Sequence, residues 1–262
     1  MRRIVLLFIT IILLTSCSKN KENEIINTSD KAFEDRHSNE LNIPLESSYI
    51  LPESWVLTTD DIINMNEKNI NSFNKIYDKI SRNQINEVEI FLLKSIDVHS
   101  FKGTEKFENL IIIDFSDCTI DSFDELIFSN NNDHKYHVLN CYNCIIKDIN
   151  SIEKLSTISE LRLVNCNISA TSIIKLSEEL IELHLDNCKD YQQFFKTPYP
   201  KLRSLCLQNN NISNKEELIT VLEQCPNIKY IYLGNNPIYM QIKENLVDMG
   251  RYNEFIFESC IQ

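Results

Sequence analysis

The sequence predicts an α/β solenoid, and three observations predict it. One apolar pattern returns six times from residue 110 onward, the ninth place of every copy is cysteine or asparagine, and polar segments of turn or short-helix length link the copies. A unit of about 22 residues cannot bury its own apolar face, so successive units must stack and share one core.

The elements follow in chain order. Arg2 and Arg3 precede the apolar run IVLLFITIILL, residues 4–14, and LTSC ends it at Cys17. A basic start and a short apolar core describe a secretory signal peptide over residues 1–16. Eleven apolar residues reach roughly 16 Å as a helix, about half the ~30 Å hydrocarbon layer, so a spanning helix is disfavoured. LTSC resembles a bacterial lipobox. That resemblance implies cleavage before Cys17 and a lipid on its sulfur, hence membrane attachment outside the cytoplasm, in the bacterial cell envelope. Ser18, where Asp would signal inner-membrane retention, points to the outer membrane or cell surface. Acylation contributes roughly 0.8 kcal/mol per buried CH₂, enough for several chains together to anchor stably.

Residues 17–45 carry the lipid cysteine and a polar, mixed-charge stretch without apolar periodicity, expected to be a flexible tether. Residues 46–105 are expected to cap the N-terminal end. Between about Thr59 and Gln84, Ile70, Phe73, Ile76, Tyr77 and Ile80 recur at helical spacing, which predicts one amphipathic helix. A degenerate first repeat is expected in VEIFLLKSIDV, residues 88–98.

Composition narrows the function. The formal charge of −12 across 262 residues repels phosphate backbones, so nucleic acid is excluded as a partner, and loss of Arg2 and Arg3 with the signal takes the charge to −14. Three dispersed glycines, Gly103, Gly234 and Gly250, cannot form a phosphate-cradling loop.

The blocks are LIIIDFSDCTI from Leu110, YHVLNCYNCII from Tyr136, ISELRLVNCNI from Ile158, LIELHLDNCKD from Leu180, LRSLCLQNNNI from Leu202 and IKYIYLGNNPI from Ile228. Their starts step by 26, 22, 22, 22 and 26 residues. The shared form LxxLxLxxNxL resembles the leucine-rich repeat family over residues 110–238. The resemblance implies a curved parallel sheet on the concave side and short helices and turns on the convex side. Residues 106–238 are therefore the repeat region and 239–262 a C-terminal cap, with a short helix and a strand near Phe255 to Phe257. SNKEELITVLEQC, residues 213–225, is expected to be a helix opened by Ser213 and Glu216 as a capping box. SATSIIKLSEE, residues 169–179, is expected to form partial turns.

Cys118, Cys144, Cys166 and Cys188 fill the ninth place, and Asn210 and Asn236 continue the column. In the family this side chain points inward and satisfies buried backbone groups. Cys141 and Cys144 resemble a metal-binding CxxC, but Cys141 holds an inward position of its repeat and no second CxxC follows, so no metal is expected. Parallel strands keep equivalent Cβ atoms about 4.8 Å apart, too far for ladder disulfides. With Cys17 lipidated, eight free thiols are expected among the nine cysteines.

Alternation along each strand sends the third, fifth and seventh places to the concave surface. Tyr142, Arg162, His184, Asp186, Tyr230 and Tyr232 stand there and are the candidate ligand-binding residues, since Tyr and Arg are common interface anchors. A protein or peptide partner, a non-enzymatic role without cofactor and a monomeric ectodomain are expected. The alternative is a periplasm-facing structural or assembly factor. A remote enzymatic alternative combines Cys206 with His184 and a flanking Asp186 or Glu182 as a cysteine nucleophile site.

Overall fold

In the computed structural model, residues 56–64, 69–80, 86–129, 136–168 and 172–260 are described. The signal peptide, Cys17 and the tether lie outside them. In chain order the elements begin with β1 (Val56–Thr58), α1 (Thr59–Asn64), β2 (Asn69–Ile70), α2 (Phe73–Lys79), β3 (Ile90–Lys94), β4 (Asp97–Val98), β5 (Ile112–Ser116) and β6 (Thr119–Ser122). They continue with β7 (His137–Tyr142), β8 (Ile145–Asp148), β9 (Ile158–Val164), β10 (Asn167–Ile168), β11 (Glu182–His184) and β12 (Ser204–Cys206). The last are α3 (Lys215–Glu223), β13 (Tyr230–Tyr232), α4 (Pro237–Lys243) and β14 (Ile256–Phe257).

Two parallel sheets result, an α/β solenoid. The larger runs β1-β3-β5-β7-β9-β11-β12-β13-β14, and the smaller runs β2-β4-β6-β8-β10. Each turn of chain lays one strand in the larger sheet, and turns from β2 to β10 lay a second in the smaller. The fourth-place residues Ile113, Leu139, Leu161, Leu183, Leu205 and Ile231 are completely buried between neighbours. Register follows the repeat: Leu161 sits opposite Leu183, Leu183 opposite Leu205 and Leu205 opposite Ile231. At the N-terminal end aromatic rings fill the core, with Phe91 5.1 Å from Phe73 and 5.0 Å from Phe107 between ring centroids.

The bend between the two sheets has a chemical basis. Ser95, Asp117, Asn143, Asn165, Asn187, Asn209 and Asn235, the eighth place of successive units, all have positive φ between 50° and 58°. Asn and Asp tolerate this left-handed region because their short polar side chains bond locally. Each of these residues from Ser95 to Asn209 donates its N–H to the seventh-place carbonyl of the next unit.

The ninth-place side chains then close the bend. Cys118, Cys144 and Cys166 direct their thiols at the sixth-place carbonyls of Leu93, Phe115 and Cys141, at 3.4, 3.6 and 3.2 Å. Asn210 and Asn236 donate to the equivalent carbonyls of Leu185 and Leu207 at 2.6 and 2.7 Å, and their side-chain oxygens accept from Cys188 N and Asn210 N.

Several expectations are corrected. The described residues within 59–84 form two short helices, α1 and α2, with β2 between them in the chain. Ile70 belongs to a strand because its turn pairs with Val98, and Ser72 then starts α2 by accepting from Asn74 N. The sheet also extends upstream of residues 88–98, since β1 pairs with β3. The register of that first repeat is the 22-residue step, with Ile90 opposite Ile112. Helix α3 is capped by Asn214, whose side chain accepts from Glu216 N and Glu217 N, in place of the expected Ser213. Residues 172–179 contain no helix, in keeping with the partial turns expected there.

Candidate interaction surface and the C-terminal clasp

The fifth-place residues form a single file across the larger sheet. Asp114 faces Asn140, Asn140 faces Arg162, Arg162 faces His184, His184 faces Cys206 and Cys206 faces Tyr232. Glu160, Glu182, Ser204 and Tyr230 form the third-place file beside them.

Arg162 lies between carboxylates of the neighbouring file. Its Nε donates to Glu160 Oε1 at 2.5 Å, its Nη2 lies 4.0 Å from Glu182 Oε2, and Tyr136 OH donates to the other Glu160 oxygen at 3.1 Å. Burial opposes the Arg162 charge, but the fields of Glu160, Tyr142 and Glu182 outweigh it and hold its pKa above the ordinary value. Tyr142 is pushed up to about 12, chiefly by burial. Asp114 rises to about 6, again through burial, although the Asn140 amide and the Arg162 charge pull the other way. The middle of the face is thus a hydrogen-bonded network. Arg162 is only 7% exposed, which corrects the expectation that it projects freely from the sheet.

At the other end the chain crosses the outward face of its own larger sheet. After β14, which pairs with β13, the segment carries Cys260 over to β12, where it forms a disulfide with Cys206 at a Cα separation of 6.5 Å. This overturns the expected count of eight free thiols: Cys118, Cys141, Cys144, Cys166, Cys188 and Cys225 are free and buried, while Cys206 and Cys260 are joined. The geometric objection to ladder bridges does not apply, because Cys260 lies outside the repeats and Cys206 holds a fifth place, so the pair are not equivalent residues of adjacent strands.

The clasp also covers Tyr232. The Phe257 ring lies 5.4 Å from Tyr232 and 5.9 Å from Tyr230, and Tyr232 is buried while Tyr230 stays half-buried. Tyr232 is therefore part of the packing, contrary to the expectation of a free outward ring. A Cβ on Gly234 would meet the Glu258 carbonyl, so glycine is what permits this crossing.

Under the clasp, His184, Asp186, Cys206 and Cys260 converge, all buried. Asp186 Oδ1 accepts from Gln208 N at 2.8 Å and its Oδ2 lies 3.9 Å from Cys260 Sγ. His184 Nδ1 lies 4.0 Å from the same sulfur, and its Nε2 is 3.8 Å from Glu182 Oε2, beyond hydrogen-bonding distance. Burial raises the Asp186 carboxyl above its ordinary range. The thiol–imidazole–carboxylate neighbourhood expected from the repeat arithmetic is present, but in the disulfide Cys206 offers no thiolate nucleophile.

Of the candidate ligand-binding residues, Tyr142 and Tyr230 are half-buried, and Arg162, His184, Asp186 and Tyr232 are buried. Glu182, half-buried 4.0 Å from Arg162 and 3.8 Å from His184, shares this face through its third-place position.

Among the described residues no helix is long and apolar enough to cross a membrane. Comparison by sequence with protein-family models and with characterised proteins gives no match. Among solved structures the chain is similar to an internalin (InlF) from Listeria monocytogenes, with a TM-score of 0.38 and 17% identity over 60% of this chain. The match spans 51% of the internalin, about half its length. The register of the chain's own strands defines the fold, a solenoid of stacked parallel strands with one end of the larger sheet's outward face clasped by the C-terminal segment.

Proposed function

We propose that this protein is a lipid-anchored, extracytoplasmic leucine-rich repeat protein that binds a protein or peptide partner on the open part of its concave face. The observation that carries the reading is the unbroken register from Asp114 to Tyr232, which aligns polar and aromatic side chains across neighbouring strands. The clasp occupies the β12–β14 end, so the contact region centres on Tyr142, Arg162 and Glu182, with the half-buried Tyr230 at the edge of the clasp. Of these, the half-buried Tyr142, Glu182 and Tyr230 meet the ligand first, and Arg162 fixes the Glu182 carboxylate behind them. Interface energy concentrates in such aromatic and arginine anchors.

The test is selection of displayed random peptides on the immobilised chain, followed by binding to Tyr142→Ala, Glu182→Ala and Tyr230→Ala. Selected peptides should lose affinity for these variants and keep it for Ile145→Ser and Leu246→Ser, whose side chains are exposed outside the proposed contact region. Peptides that bind all five variants alike would remove the concave-face assignment. Anchoring rests on the lipobox resemblance at Cys17. Labelled fatty acid should enter the wild-type chain and not Cys17→Ala, and protease shaving of intact cells distinguishes a surface-exposed chain from a periplasm-facing one.

A further inference from the structure

We propose that His184, Asp186, Cys206 and Cys260 form a tetrahedral site for a divalent cation of the zinc class when the protein is reduced, and that the Cys206–Cys260 disulfide is the closed, metal-free form of that site. One ligand atom from each residue lies within 4.8 Å of the others. A tetrahedral zinc with bonds of about 2.3 Å to sulfur and about 2.0–2.1 Å to nitrogen or oxygen requires ligand separations of roughly 3.3–3.8 Å, so modest side-chain rotation after disulfide opening suffices.

Asp186 is oriented by a contact that leaves a metal-binding oxygen free, and the other three ligands lie around it. Asp186 Oδ1 is held by Gln208 N, which leaves Oδ2 facing the sulfurs. His184 turns Nδ1 to Cys260 and Nε2 to Glu182, an arrangement in which a proton on Nε2 leaves the Nδ1 lone pair for a cation. A carboxylate hydrogen-bonded behind a ligating histidine is a recurrent support for metal binding, and Glu182, 3.8 Å from Nε2, would take that role only by closing to hydrogen-bonding distance. Gln208 Nε2 lies 2.9 Å from Cys260 Sγ and can donate to a thiolate there. All four ligand residues are buried, and two thiolates beside a buried carboxylate are costly without a compensating cation.

The chemistry balances in two steps. A dithiol cleaves the Cys206–Cys260 bond by exchange, passing two electrons and two protons to the cysteines while it closes to its own disulfide. The cation then replaces the two thiol protons, which leave to water. The site is distinct from the CxxC of Cys141 and Cys144, whose sulfurs belong to the core and the ladder.

Cobalt(II) is the probe. The metal-stripped full chain, reduced with a dithiol and desalted without air, should bind a single equivalent of cobalt, with the intense visible bands of tetrahedral thiolate coordination, and zinc should displace them. The oxidised chain should show no such bands. Asp186→Asn keeps an oxygen that can accept from Gln208 N and removes the charge, so it should fold, as circular dichroism checks, and bind cobalt at least about ten-fold more weakly; His184→Ala should behave alike. Absence of the bands in reduced protein overturns the proposal, as do unchanged bands in the Cys206→Ser/Cys260→Ser double variant, which would locate the metal on other thiols.

Discussion

The carbonyl oxygen of Glu258 lies 2.0 Å from where a Cβ on Gly234 would stand, so the C-terminal segment rests on the backbone that follows β13. Gly234 does not have a left-handed φ, and its requirement is one of space. Gly234→Ala is expected to push the clasp away at a cost of about 1–3 kcal/mol, the usual range for overpacking a filled site. Urea unfolding measures it as a lower midpoint at unchanged slope. Reducing the Cys206–Cys260 bond lets the segment lift and should shrink the penalty. An equal penalty in both redox states would mean that the crossing does not depend on the disulfide.

Asn236 bonds five buried or half-buried backbone groups at once. Its amide donates to Leu207 O, Leu233 O and, at 3.4 Å, Gly234 O, and its oxygen accepts from Asn210 N and Ile212 N. Asn236→Ala removes every partner and is expected to cost about 3 kcal/mol or more, because each stranded group forfeits roughly 1–3 kcal/mol. Asn236→Cys should fall between, since a thiol restores a donor to Leu207 O as Cys118 does for Leu93 O, but accepts weakly. Denaturation midpoints in the order wild type, Cys, Ala are the check. An Ala variant as stable as the Cys variant would deny the ladder its hydrogen-bonding role.

The large sheet was legible because one inward aliphatic per strand, such as Leu183 or Leu205, repeats at a fixed step and sets the register of its neighbours. The small sheet was not, because strands of two to four residues such as Asn167–Ile168 carry too few side chains to show a period. Ile70 illustrates the ambiguity: three residues before Phe73, it matches a helical face and still belongs to a strand. The same arithmetic brought His184, Asp186 and Cys206 together. It could not bring in Cys260, which lies 54 residues beyond Cys206 and outside the repeat. Alternation assigns a side chain to a face and says nothing of depth, so the burial of Arg162 and Tyr232 required the structure.

Asp114 gives stability a pH dependence. Burial raises its carboxyl from 3.8 to about 6 in the folded chain. Between about pH 4 and pH 6 the folded chain therefore holds a proton that the unfolded chain has released, and stability falls as pH rises through this window. The contribution is on the order of 1–3 kcal/mol. Asp186, raised in the same direction, adds to the slope. Asp114→Asn should flatten the profile between these pH values, measured as urea midpoints at half-unit intervals. An identical fall in the variant would assign the effect elsewhere.

Arg162 and Glu160 test whether the middle of the concave face is a surface or a part of the core. The side chains are 9% and 8% exposed and joined at 2.5 Å, so removing the cation strands a buried carboxylate. Arg162→Ala is expected to destabilise the fold by about 3–5 kcal/mol, the range for breaking a buried pair from one side. Glu160→Gln alone removes one opposing charge and should cost less, because its oxygen can still accept from Arg162 Nε and the Glu182 carboxylate, 4.0 Å from Arg162, still balances the cation. In the double variant Arg162→Met/Glu160→Gln no charge of the pair remains, and apolar replacement of buried ion pairs is often close to neutral, so most of the loss should return. A double-mutant cycle on Arg162→Met and Glu160→Gln, from urea midpoints, then gives a coupling of about 3 kcal/mol, since most of the single-variant loss returns. Strictly additive losses would mean that Glu160 and Arg162 are each held by water or by other neighbours, and Arg162 would then be free to act as the exposed ligand anchor that the strand alternation alone had suggested.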